Sequence, residues 1–197
     1  NFGTPAVMAY AYDQNPMVSA VLPDDETSAY QMTRYLIRKG HKKIALLAGR
    51  EDNLHTRRRL KGYQNALFDA QILYNPRLVR YVDWNKPSGY QETKRLLKED
   101  ITAIFCMADT IAGGVYQYLD EQGLRAGRDV SVVGFDNHVL SEYMIPGLTT
   151  MALPLKEIGT TSAKLLFDQI EKGEVEMNRE ILIPCFLVER CSVKEIK

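Results

Sequence analysis

Residues 102–137 read TAIFCMADTIAGGVYQYLDEQGLRAGRDVSVVGFDN. Ala103–Met107 is a short, continuous apolar run rich in β-formers, which reads as a strand buried on both faces. Asp109 can cap the helix that follows, because Ile111, Val115 and Leu119 recur at the helical period and Gly123 stands where that helix closes. Val130–Phe135 is a second apolar run, bounded by Gly134 and Asp136. Strand, helix and strand in that order make a crossover unit, and such units build parallel sheets.

The same alternation extends in both directions. Upstream, Pro5–Tyr10 and Ser19–Leu22 read as strands. Asp24 and Asp25 can cap a helix with Ala29, Met32 and Leu36 on one face and Gly40 at its end. Lys43–Ala48 is a strand ending at Gly49, Leu60, Tyr63 and Leu67 mark the inner face of a helix, Leu78–Val82 is a strand and Tyr90–Leu97 a helix. Downstream, Thr149–Ala152 is extended, Ile158, Leu165 and Ile170 lie along a helix closed by Gly173, and Ile181–Glu189 is strand interrupted by Pro184. The fold class is α/β, a parallel sheet with helices on both faces in three layers.

Ligands in open sheets of this kind lie beyond the carboxyl ends of the strands. That rule nominates Tyr10, the Gly49–Arg59 loop, Asp83 and Trp84, Ala108 and Asp109, and the run Asp136, Asn137 and His138. Together they offer a cation, carboxylates, an amide and an aromatic face, the set that a polyhydroxylated small molecule requires. Each has a plainer reading. Arg57, Arg58 and Arg59 form a run that can be a solvated face, Trp84 can fill a core, Asp136 can form a turn, and Asp109 can be only a helix cap.

Composition narrows the partners. The 25 basic and 25 acidic side chains leave no positive field to hold a phosphate backbone, and no DNA-reading element precedes the first strand. No apolar run approaches the ~20 residues that span a bilayer, so no membrane partner is expected. Cys106, Cys185 and Cys191 form no paired spacing and fit a reducing, cytoplasmic compartment. No nucleophile elbow, phosphate loop or dinucleotide fingerprint occurs, and Cys106 lies mid-strand, so no catalytic residue and no cofactor is expected. His41, His55 and His138 lie in separate loops without metal-ligand spacing, so no metal site is expected either.

Five segments together carry a resemblance: RKGHKKIALLAG at 38–49, RRLKGYQNAL at 58–67, the 102–137 run, IPGLTTMALPLKEIG at 145–159 and LVERCSV at 187–193. In this order and spacing the chain resembles the lactose and purine repressors of the LacI/GalR family. The resemblance implies a periplasmic-binding-protein-like sensor of two lobes that close around a small effector, a sugar or sugar derivative. It also implies a homodimer, and operator DNA contacted only through a separate amino-terminal headpiece.

The family's effector-contacting arginine falls on Arg59, its stacking aromatic on Trp84 and its G-[YF]-D aspartate on Asp136, with His55, Asn53 and Tyr10 at neighbouring pocket positions. Two positions depart from the lactose repressor: Ala108 replaces an asparagine and Leu153 a glutamine, which argues against a lactose-like ligand. The resemblance further implies that 1–40 and 150–181 are a remnant of the amino-terminal lobe, and that 41–146 with 185–192 are the carboxy-terminal lobe. The headpiece is expected to be absent and effector binding by these 197 residues alone to be weak. The expected mechanism is a population shift between lobe arrangements. The alternative is a solute-binding protein of a sugar transport system, and an α/β enzyme is a minor third.

Overall fold

The computed structural model describes residues 4–13, 15, 18–173 and 179–196; expectations that touch the other positions lie outside the described residues. The chain divides into two compact units, residues 1–24 with 153–185 and residues 25–152 with 186–197.

The smaller unit holds β1 (Val7–Ala9) and β2 (Ser19–Pro23). The larger unit follows with α1 (Asp25–Arg38), β3 (Ile44–Ala48), α2 (Leu54–Asp69), a 3-10 turn at Pro76–Leu78, β4 (Val79–Tyr81) and α3 (Lys86–Leu96). It continues through β5 (Ala103–Cys106), α4 (Asp109–Glu121), β6 (Ser131–Asp136), α5 (Leu140–Tyr143) and β7 (Thr149–Ala152). Next, α6 (Leu155–Lys172) and β8 (Glu180–Ile183) complete the smaller unit, and β9 (Phe186–Val188) returns to the larger.

In the larger unit six strands run in the order β4-β3-β5-β6-β7-β9, all parallel except β9, which pairs antiparallel with β7. β3, β5 and β7 are buried throughout, which is why they read as unbroken apolar runs. One face packs Ala45, Leu47, Ile104, Cys106 and Val132 against Ile111, Ala112, Val115 and Leu119 of α4 and Leu96 of α3. The pleat sends Leu46, Phe105, Val133 and Phe135, all fully buried, to the other face. There Tyr63 of α2 donates its hydroxyl to the Ile44 carbonyl at 2.7 Å.

Helices α3 and α4 cross closely because Gly89 and Gly114 lack side chains. A Cβ on Gly114 would stand 2.1 Å from the Lys86 carbonyl oxygen, and one on Gly89 2.3 Å from that of Ile111. The strand order reverses direction at β3, whose neighbours are the next strand β4 on one side and β5 on the other. In open sheets of this kind ligands bind at such a switch point, which here lies at the carboxyl ends of β3 and β5.

The smaller unit is a three-stranded parallel sheet, β1-β2-β8. Val21, Ile158 and Leu165 form its centre, with Val7, Tyr10, Ile181 and Ile183 packed around them. Gly173 closes α6, as the sequence suggests, in the left-handed conformation at φ 64°.

The boundaries differ from those expected at 40, 150 and 181–185. Helix α1 belongs to the larger unit because it lies directly on α2: a Cβ on Gly62 would meet the Glu26 carbonyl oxygen at 2.1 Å. The run 181–189 is divided where Pro184 breaks the ladder, β8 going to one sheet and β9 to the other.

Candidate functional site

Of the six residues that the family resemblance assigns to the pocket, five lie in the larger unit, near the carboxyl edge of its sheet. Arg59 comes from the second turn of α2 and is 1% exposed, so the solvated-face reading of the arginine run fails at this residue. Its Nε donates to Asp25 Oδ1 at 2.7 Å and its Nη1 donates to the Met107 carbonyl. The guanidinium stacks on the Phe135 ring with 3.6 Å to the centroid and lies 6.0 Å from the Trp84 ring. Nη1 stands 4.0 Å from Asp136 Oδ1. The strand ends of β5 and β6 therefore hold this cation in place, β5 through a carbonyl and β6 through a ring.

Asp136 closes β6 at φ 112°, and Asn137 follows at φ 53°. Both angles are uncommon for residues other than glycine, and aspartate and asparagine tolerate them best. Burial pushes the Asp136 carboxyl up to about 6, against the pull of Arg59. Trp84 follows β4 and rests on Gly49, where any Cβ would lie 1.9 Å from the indole. Thr110 of α4 donates its hydroxyl to the Trp84 carbonyl at 3.2 Å.

Asn53 caps α2: its Oδ1 accepts from the backbone N–H of His55 at 2.9 Å and of Thr56 at 3.3 Å. Its acceptor oxygen thus serves the helix. His55 Nδ1 lies 2.6 Å from Asp25 Oδ2. Tyr10 belongs to the smaller unit, where its N–H donates to the Val21 carbonyl at 2.9 Å and its φ is 59°.

Two aspartates read from sequence as helix caps do other work. Asp25, 1% exposed, joins Arg59 and His55 through its two oxygens. Burial raises its carboxyl, but Arg59 and His55 together hold it below the usual aspartate range. Asp109 is not the cap of α4, because Ala108 occupies that position without a side-chain bond. Asp109 instead accepts from the Thr150 hydroxyl and from the His138 N–H, each at 2.7 Å, and burial pushes it up to about 7. Arg190 fixes the adjoining loop, donating to the Leu148 carbonyl at 2.8 Å and to Asn137 Oδ1 at 2.9 Å. A carboxylate ahead of a helix looks alike in sequence whether it caps that helix or pairs with a distant side chain. No local signal therefore marked Asp25.

Among the described residues no His, Cys, Asp and Glu side chains gather to hold a metal ion, and no helix is long and apolar enough to cross a membrane. Cys106 is fully buried, and that burial raises its thiol well above the ordinary range, which makes it a packing residue rather than a nucleophile.

The periplasmic binding protein-like domain family matches residues 33–193. The chain is 34% identical over 194 residues to the HTH-type transcriptional repressor CytR of Escherichia coli (strain K12), covering 98% of this chain and 57% of that protein. It is 33% identical over 190 residues to the HTH-type transcriptional repressor PurR of Vibrio atlanticus (strain LGP32), covering 93% and 55%. It thus spans about half the length of the curated relatives it matches. Among solved structures, a LacI family transcriptional regulator from Enterococcus faecium with bound ribose superposes with a TM-score of 0.87 at 34% identity, covering 98% of this chain and 72% of that one.

Proposed function

The chain belongs to the LacI family of transcriptional regulators, and on that premise we propose that it is the small-molecule-sensing part of a bacterial repressor. Its effector is a sugar or sugar-like polyol, and its operator is contacted by a helix-turn-helix part outside these 197 residues. The observation that carries this reading is the buried Arg59, pinned by Asp25 at the switch point of the sheet with Asp136 and Trp84 beside it.

The arrangement suits a polyol. Arg59 donates to hydroxyl oxygens, the Asp136 carboxylate accepts hydroxyl protons, and the Trp84 face covers the apolar C–H face of a ring. An effector that binds one arrangement of the regulator better than another shifts the population toward it, by no more than its differential affinity. His55 adds a further pocket contact in this reading, and Asn53 contributes its amide N–H. The regulator works in the cytoplasm as a homodimer. Exposed Val139, Leu140, Tyr143 and Ile145, next to Tyr116 of α4, supply an apolar surface for the second copy.

Calorimetric titration of the intact regulator with neutral pentoses, hexoses, disaccharides and nucleosides tests the proposal. One class is expected to bind, and Trp84→Ala to weaken that binding at least about tenfold, or ~1.4 kcal/mol. Absence of binding by every class, or affinity indifferent to Trp84→Ala, would overturn it.

A further inference from the structure

Arg59 has the surroundings of an anion site. Its guanidinium is buried, and it lies where the amino termini of α2 and α4 approach the carboxyl ends of the strands. A planar fork with this exposure to helix N-termini ordinarily grips phosphate or carboxylate in two-point fashion. Here the Nε edge of the fork is already taken by Asp25 at 2.7 Å, and Nη1 is committed to the Met107 carbonyl with Asp136 Oδ1 at 4.0 Å. One cation therefore faces two carboxylates, with Asp109 a third close enough to Asp136 for the two charges to interact.

Capping α1 would not call for a charge at position 25, since serine or asparagine caps equally well. A buried carboxylate is costly unless it is paired and hydrogen-bonded, and both Asp25 oxygens are, one to Arg59 and one to His55 at 2.6 Å. Removing that charge would leave the guanidinium facing one nearby carboxylate, Asp136, in place of two, and so more open to a bound anion.

We propose that Asp25 is a positioning and specificity-determining residue: it aims and neutralises Arg59, so that the site selects uncharged polyols over their phosphorylated or carboxylated counterparts. This rests on the reading of the Arg59 cluster as the effector site. A neutral polyol satisfies both signs of the cluster, accepting from Arg59 and donating to Asp136. An anion satisfies only the first and is repelled by the second.

The test is a set of matched pairs titrated into the intact regulator: ribose and ribose 5-phosphate, glucose and glucose 6-phosphate, glucose and gluconate, adenosine and its 5′-monophosphate. In every pair that registers, the neutral member should bind at least about tenfold more tightly. Asp25→Asn, of the same shape, should shrink that ratio at least about tenfold by strengthening the anionic member. A purely structural role for Asp25 would weaken both members alike and leave the ratio unmoved, which would overturn the proposal. So would tighter binding of an anionic member by the wild type, a result that needs no variant to fold. If no pair registers, it is the sugar-sensing reading that has failed. Asp25 is then judged by inorganic phosphate, titrated calorimetrically into the intact regulator. No binding is expected in the wild type and saturable binding in Asp25→Asn, and saturable binding by the wild type or none by the folded variant would refute the assignment.

Discussion

Replacing Asp109 with asparagine should remove a pH-dependent burden on the larger unit. Asp109 is 1% exposed, and burial pushes its carboxyl from an ordinary 3.8 to about 7, although Thr150 and the His138 N–H favour the charged form. Between those values the folded chain holds a proton that the unfolded chain has released. Stability therefore falls as pH rises through this window, by up to about 1.4 kcal/mol per pH unit, and levels off above pH 7. Integrated from pH 5 to pH 8, Asp109 costs about 3 kcal/mol. The introduced amide would offer its Nδ2 to Thr150 Oγ1 and keep its Oδ1 for the His138 N–H, which matches the protonated acid at every pH. Asp25, whose carboxyl is held low, contributes in the opposite direction: its stabilisation is present above the ordinary aspartate value and lost as pH falls. For that reason the informative quantity is the difference between variant and wild type in urea unfolding at pH 5 and at pH 8. Asp109→Asn should gain about 3 kcal/mol on the wild type between the two conditions. An equal difference at both pH values would refute the reasoning, because it would mean that Asp109 ionises in the folded chain as it does in the unfolded one.

Gly114→Ala drives a Cβ to 2.1 Å from the Lys86 carbonyl oxygen and must part α3 from α4. The expected loss is about 2 kcal/mol, visible as a fall of roughly 5 °C in Tm, and an unchanged Tm would contradict the close crossing. Gly49→Ala forces the Trp84 indole to move, so tryptophan emission should shift and sugar affinity fall while Tm changes little; unaltered emission would show that the ring does not rest there. Arg190→Ala strips donors from the buried Leu148 carbonyl and from Asn137, at a cost of about 2 kcal/mol that chemical denaturation would measure; a loss near zero would mean that water replaces the guanidinium.

The alternation of apolar runs and helical periods made the larger sheet legible, because parallel strands covered on both faces leave unbroken runs such as Ile44–Ala48 and Ala103–Cys106. The rule for carboxyl ends nominates Arg59, Trp84 and Asp136 only among many others; the family resemblance singles the three out, and the structure brings them close to one another. Three things were less legible. Helix α1 was placed on the wrong side of a unit boundary, since its amphipathic face does not say which neighbour it covers. Asp25 and Asp109 were read as caps because their real partners, Arg59 and Thr150, stand 34 and 41 residues away. Asn53, nominated for a pocket, turned out to cap α2, a role its place just ahead of Leu54 could have suggested. Long-range polar pairing leaves no period in a sequence, whereas packing does.

The proposed function requires that effector held by Asp136, with Arg59 and Trp84, change operator binding. The direct measurement is fluorescence anisotropy of labelled operator DNA with the intact regulator, titrated with the sugar found by calorimetry, for wild type and Asp136→Asn. Asparagine suits the positive φ of this position better than alanine does. Equal operator affinity without sugar is expected, with a sugar response in the wild type that the variant shows only at concentrations at least about tenfold higher, ~1.4 kcal/mol. An identical sugar response from both proteins would contradict it.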